Sequence, residues 1–164
     1  MVIFFYDKTF EGLLTAVFDA YNRKTFPQRL MKTGETPPLF TDETYTVWTQ
    51  KASAERVWKA LERKLKKEAC NMLMRVWLSE LAGSDELLFR YICKTFDTKH
   101  DISLNFGDAD VLEVGKIARK VGHEALYLKQ FVRFQKAADD LFFAPVRPIY
   151  NALPLTIDHF TDRF

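Results

Sequence analysis

The chain has 164 residues, with 24 Lys and Arg against 22 Asp and Glu for a net charge of +2, well short of the balance that lets a protein grip duplex DNA by charge alone. Its apolar share of 48% and aromatic share of 15% suit one domain over residues 1–164 with a real core packed largely by aromatics. The opening apolar run is too short to span a bilayer and lacks a secretion-signal pattern, so a cytoplasmic protein with no membrane partner is expected.

Val2, Ile3, Phe4 and Phe5 predict a buried strand. Thr9 then reads as the N-cap of an amphipathic helix whose stripe is Phe10, Leu13, Leu14, Val17, Phe18 and Tyr21. Pro27, Gly34, Pro37 and Pro38 punctuate a loop over 26–42, and residues 43–49 alternate as a short edge strand or extended arm. From Ser53 as N-cap, a long helical pattern runs from Ala54 through Trp58, Leu65 and Leu73 to Leu81, with a bend or break open near 67–71 and Gly83 as its stop. Ser84 caps the next helix, and Asp85 and Glu86 in its first turn suit the helix dipole. After a polar loop, Asp108 or Asp110 starts a helix reaching Leu128, in which Gly115 and Gly122 are weak points that would permit close helix packing. Residues 131–134 (Phe-Val-Arg-Phe) then read as a strand, Ala138, Asp139 and Asp140 as a polar turn, and 141–144 as the partner strand. The tail passes Pro145, Pro148 and Pro154 into a short helix. The predicted fold is α+β: mostly helical, with a small antiparallel sheet of the N-terminal strand plus the hairpin.

The chemistry is sparse. Cys70 and Cys93 sit in apolar helical contexts and read as buried free thiols. No Walker loop, Cys-x-x-Cys pair, His-Glu-x-x-His or three-cysteine cluster occurs, so neither cofactor nor metal is expected. The strongest electrostatic feature is the basic stretch Arg56, Lys59, Arg63, Lys64, Lys66 and Lys67, interleaved with Glu55, Glu62 and Glu68. It could track phosphates, or be a solvated face laced with pairs such as Glu62–Lys66. Trp48 and Tyr45, near Lys51 and Arg56, are the stacking candidates. Asp7 reads as a strand terminator and Glu11 as a complement to the helix N-terminus. His159, Asp162 and Arg163 lie within about a turn of each other, as an anchor, a phosphate contact or weak acid–base candidates.

Three blocks carry a family resemblance. YDKTFEGLLTAVFDAY from Tyr6, the stretch from Lys116 through Glu124 into Phe131-Val132-Arg133-Phe134, and PIYNALP from Pro148 leading to HFTDRF resemble a bacterial family described only as probable DNA metabolism proteins. Those proteins are typically encoded beside a DNA modification or repair protein of the radical-SAM class, and some relatives are joined to uracil-DNA-glycosylase-like domains. Glu124 and Arg133 match the second block, whereas Leu126 stands where relatives often carry histidine. Relatives continue past the last motif, so a truncation at Phe164 is expected; a stop codon directly after it in the native gene would refute that.

The resemblance implies an accessory protein of DNA modification or repair that binds DNA, the radical-SAM partner, or both, without independent catalysis. Arg56, Lys59, Arg63, Lys66, Lys67, Arg133, Arg163 and Trp48 are the nucleic-acid candidates. One alternative is an enzyme on a nucleic-acid base or end, with His159, Asp162 and Glu124 as weak catalytic candidates joined by Arg133 and Arg163. The other is a protein-only adaptor with an exposed apolar patch.

Overall fold

The computed structural model describes residues 1–137 and 140–163. Strand β1 (Val2–Tyr6) buries Ile3, Phe4 and Tyr6 completely. It lies between β2 (Arg29–Lys32) and β3 (Glu43–Thr46) and runs parallel to both. A parallel strand with both edges filled reads as a continuous apolar run rather than an alternation.

The fold is α+β, but the expected antiparallel sheet of N-terminal strand plus hairpin is overturned. Helix α1 (Phe10–Arg23) carries the chain back along β1, so β2 enters from the same end. With β3 on the far side, β1 has no free edge for a hairpin. The hairpin forms apart from it as a two-residue ladder, β4 (Gln135–Lys136) against β5 (Phe142–Phe143), with exposed side chains. Its expected first strand, 131–134, does not form: Phe131 ends a helix and the next three residues are irregular. Ala138 and Asp139 of the expected turn, and the terminal Phe164, lie outside the described residues.

The long helical pattern is two helices, α2 (Lys51–Lys64) and α3 (Lys67–Leu78), separated by extended backbone at Leu65 and Lys66. Ser53 is not the N-cap; α2 follows Gln50, and the Ser53 hydroxyl donates to the Gln50 side chain. No Pro or Gly marks the break. Leu65 is buried there, while the Lys64 ammonium donates to the carbonyls of Thr95, Phe96 and Thr98, closing the C-terminal end of α4 (Ser84–Asp97). The break turns the chain so that α2 packs on α1 and α3 packs on α5 (Ala109–Phe131), with α4 touching all four.

Ser84 is the first residue of α4 behind Gly83 and makes no side-chain cap, and α3 ends at Leu78 before Gly83, but the caps at Thr9 and Asp108 form. Thr9 accepts from the Gly12 N–H, and Asp108 from the N–H groups of Asp110 and Val111, each capping its helix. The tail docks against α3 and α5. The Asn151 N–H donates to the Leu78 carbonyl, the Ile149 N–H donates to Glu124 Oε1 at 2.8 Å, and Ala152 is fully buried. A short 3-10 turn (Leu153–Thr156) and α6 (Ile157–Thr161) follow.

Candidate nucleic-acid interface

Two grooves of opposite charge flank this core. The first lies beyond the carboxyl ends of β1 and β3, where each strand runs on into the helix that follows it. It holds about 810 Å³ between the N-termini of α1 and α2, over an apolar floor that includes Phe10, Leu14 and Trp58. Its rim carries four carboxylates, Asp7, Glu11, Glu55 and Glu62, against the ammonium groups of Lys51 and Lys59. Asp7 is tied inward: its carboxylate accepts from the Thr9 N–H (3.0 Å), the Thr9 hydroxyl (2.6 Å) and the Thr49 hydroxyl (2.7 Å). Burial raises its pKa, and these bonds outweigh that and hold it below the usual carboxylate range. Gly12 makes the seat, since a Cβ there would come within 2.2 Å of Asp7 Oδ1. Beside it, buried Asp85 accepts from the Tyr6 hydroxyl and the Lys8 ammonium. Lys8 occupies left-handed backbone (φ 60°) to make that contact. This corner is a structural lock with an acidic rim, the wrong sign for phosphate.

The second groove follows the α3–α5 packing line in two lobes, of about 480 and 530 Å³, both lined by Arg75 and Arg119. One lobe adds His123 and Lys129 and has no carboxylate in its lining. The other adds Lys66 and a single acid, Glu68, over a floor of Ala69, Met72 and Ala118. The Arg75 guanidinium is half-buried, lies against Gly122, and has no hydrogen-bond or ion-pair partner among the described residues. An arginine held in this way presents its donors to an incoming anion. Gly115 and Gly122 do not serve tight helix packing. A Cβ at Gly115 would meet nothing within 4 Å, and one at Gly122 would touch only Arg75, at 3.6 Å. They leave the groove open.

The expected nucleic-acid residues are scattered. Lys66 is in the cationic groove and Lys67 is exposed beside it at the start of α3. Lys59 is in the acidic groove, Arg56 lies over the Phe18 ring at 5.8 Å, and Arg63 is exposed. The Glu62–Lys66 pair is not among the ion pairs of the described residues, because the helix breaks between them. Trp48 is 74% exposed, whereas Tyr45 is occupied, packed on Phe4 under the Arg23 guanidinium with its hydroxyl donating to Asp19. Arg133 is exposed beyond α5. His159, Asp162 and Arg163 are exposed on the tail, and His159 packs on Phe160. Glu124 braces the tail by accepting from the Ile149 N–H. None of His159, Asp162, Arg163, Glu124 or Arg133 lines either groove.

Sequence reasoning missed Arg75, Arg119, His123 and Lys129 as site residues. The legible signal was on α5, where Arg119 and His123 at i,i+4 border the small residues Gly115, Ala118, Gly122 and Ala125. Such residues make a low floor between the two longer side chains. Both cysteines are buried and free, and burial pushes the Cys93 thiol up to about 12. Among the described residues no three His, Cys, Asp or Glu gather as a metal site requires, and no helix is long and apolar enough to cross a membrane.

No curated protein and no solved structure matches the chain. Residues 82–164, just over half of it, match a family described as a domain of unknown function, DUF4130. The match spans α4, α5, the hairpin and the tail, and so includes the α5 wall of the cationic groove. The chain belongs to the DUF4130 family.

Proposed function

We propose that this protein is an accessory nucleic-acid-binding protein of DNA modification or repair, acting beside a radical-SAM partner and performing no chemistry of its own. The DNA context and the partner rest on the resemblance of the three sequence blocks. The observation that carries nucleic-acid binding is the α3–α5 groove, where Arg75, Arg119, Lys129 and Lys66 face one carboxylate. Four cations on a single strand correspond to a salt slope of about −3, at roughly −0.7 per phosphate neutralised. The test is fluorescence anisotropy with labelled DNA and RNA from low to moderate salt, on the native chain and on Arg119→Glu. Steep salt dependence lost in Arg119→Glu supports the reading; flat curves at low salt and tens of micromolar protein refute it.

The protein-only adaptor is the second reading, favoured by an exposed apolar strip at the end of α5 and beyond. Tyr127 and Phe131 stack at 4.8 Å and are both more than half exposed, and Phe143 and Ile149 are exposed too. The radical-SAM protein is the occupant this reading assigns to that strip. Co-purification with that protein that survives high salt but is lost in Phe131→Glu would favour it.

A further inference from the structure

We propose that the α3–α5 groove takes single-stranded nucleic acid, holding an unpaired base in its apolar lobe and the flanking phosphates on Arg75 and Arg119. The inference rests on the nucleic-acid reading above and specifies which form of the polymer that site accepts.

The two lobes differ in chemistry along one line. The lobe beside His123 offers the cations of Arg75, Arg119 and Lys129. The lobe at Lys66 has a floor of aliphatic and thioether carbon from Ala69, Met72, Val111 and Ala118. Over its lip stand Leu104 and Phe106, which are 71% and 63% exposed. Gly115 has open space above it, so the lobe is accessible at its centre. Cation and flat apolar surface in series are what a strand of alternating phosphates and bases requires. Phe106 supplies the aromatic face on which a base stacks, whatever its identity.

Duplex DNA fits this arrangement poorly. Its bases are hidden in the stack, and its backbone would have to enter a gap between helices whose axes pack about 8–10 Å apart. Arg75 lies half-buried in that gap against Gly122, where rim-bound phosphates would reach Arg119 and Lys129 but not Arg75. Along α5 the groove runs from Val111 to Lys129, about 27 Å at 1.5 Å per residue. That accommodates about eight stacked nucleotides at 3.4 Å each, and fewer if the strand is extended.

The experiment uses the 164-residue chain with fluorescein-labelled dT12, an abasic 12-mer and a 12-base-pair duplex, read by anisotropy at low salt. Expected is dT12 binding at least tenfold tighter than the duplex, with the abasic strand weaker than dT12. Phe106→Ala should weaken dT12 binding about five-fold or more, the range for loss of one base–aromatic stack, and leave the duplex unchanged. Gly115→Leu, which fills the apolar lobe, should weaken dT12 further; circular dichroism checks its fold, and Phe106→Ala, in an exposed loop, keeps the test decisive if that variant fails to fold. Duplex binding as tight as dT12, or dT12 binding indifferent to Phe106→Ala and to loss of the bases, overturns this inference and leaves nucleic-acid binding standing. Absence of binding to all three probes overturns both.

Discussion

The clearest structural test is Gly12→Ala. A methyl group there would lie 2.2 Å from Asp7 Oδ1 and 3.0 Å from the hydroxyl oxygens of Thr9 and Thr49. Real Cβ atoms do not approach that closely, so the Asp7 carboxylate must leave its seat, giving up its bonds from the Thr9 N–H, the Thr9 hydroxyl and the Thr49 hydroxyl. Hydrogen bonds to a charged group contribute about 1.5–3 kcal/mol each when sheltered. Asp7 is exposed, so the three together are taken at about 3 kcal/mol, screened by water. Alanine recovers about 1 kcal/mol of helix propensity in the first turn of α1. The net expectation is destabilisation by about 2 kcal/mol, measured by urea unfolding. Tryptophan fluorescence reports directly on this corner, because Phe10 packs against both Trp58 and Trp77. In an Asp7→Ala background the obstructing oxygen is absent, and Gly12→Ala should cost nothing or stabilise slightly, a coupling of about 2 kcal/mol. Equal cost in both backgrounds would refute the close-approach argument.

Asp85 sets a pH dependence. Burial raises its carboxyl pKa, but the bonds from Lys8 and Tyr6 outweigh that and hold it below the ordinary value of 3.8. The unfolded chain therefore takes up the proton first, and this contribution to stability, present above about pH 4, is lost as pH falls through the folded value. Urea midpoints of Asp85→Asn should be lower at pH 7 and vary less than native between pH 5 and 3; a parallel decline would sink the assignment. Lys64→Met should cost about 1 kcal/mol by unbonding the last carbonyls of α4, with earlier thermal unfolding as the readout. Gly115→Ala should stabilise by about 1 kcal/mol, since its Cβ meets nothing within 4 Å; an unchanged or lower urea midpoint would show that the position is not open.

What the sequence disclosed were features written locally: the apolar run of β1, the caps at Thr9 and Asp108, and the amphipathic stripes of α1 and α4. β2 escaped notice because Arg-Leu-Met-Lys has only one buried side chain, Leu30, and sits within a Pro-punctuated loop. Its strand character comes from pairing with β1, which no local pattern records. The parallel sense of the sheet was hidden for the same reason. The break at Leu65 is set by contacts with α4 and has no local breaker, so the sequence left a bend open near 67–71 without placing it. The cationic groove was half legible: Arg119, His123 and the small residues of α5 could be seen as a stripe, but Arg75 belongs to another helix, and only folding sets it opposite Gly122.

A net charge of +2 argued against strong anion binding, yet the total is a poor guide when charge is sorted in space. Apart from Glu68, which lines the cationic groove, the acids near it are committed elsewhere. Asp108 and Asp110 bind Lys94, Asp110 also binds Arg90, and Glu124 takes the Ile149 N–H. Other acids line the groove between the N-termini of α1 and α2. Because screening confines each field to about 8 Å at physiological salt, an approaching phosphate senses the α3–α5 groove rather than the whole molecule. Two variants of equal charge separate these views. Arg75→Met with Arg119→Met, and Lys59→Met with Arg63→Met, each remove two positive charges. If net charge governs, both lose oligonucleotide affinity alike. If the groove governs, only the first pair loses affinity and lowers the salt slope, by about 1.4 at 0.7 per phosphate. A larger loss from the α2 pair would instead return the interface to the basic face that the sequence displays most openly.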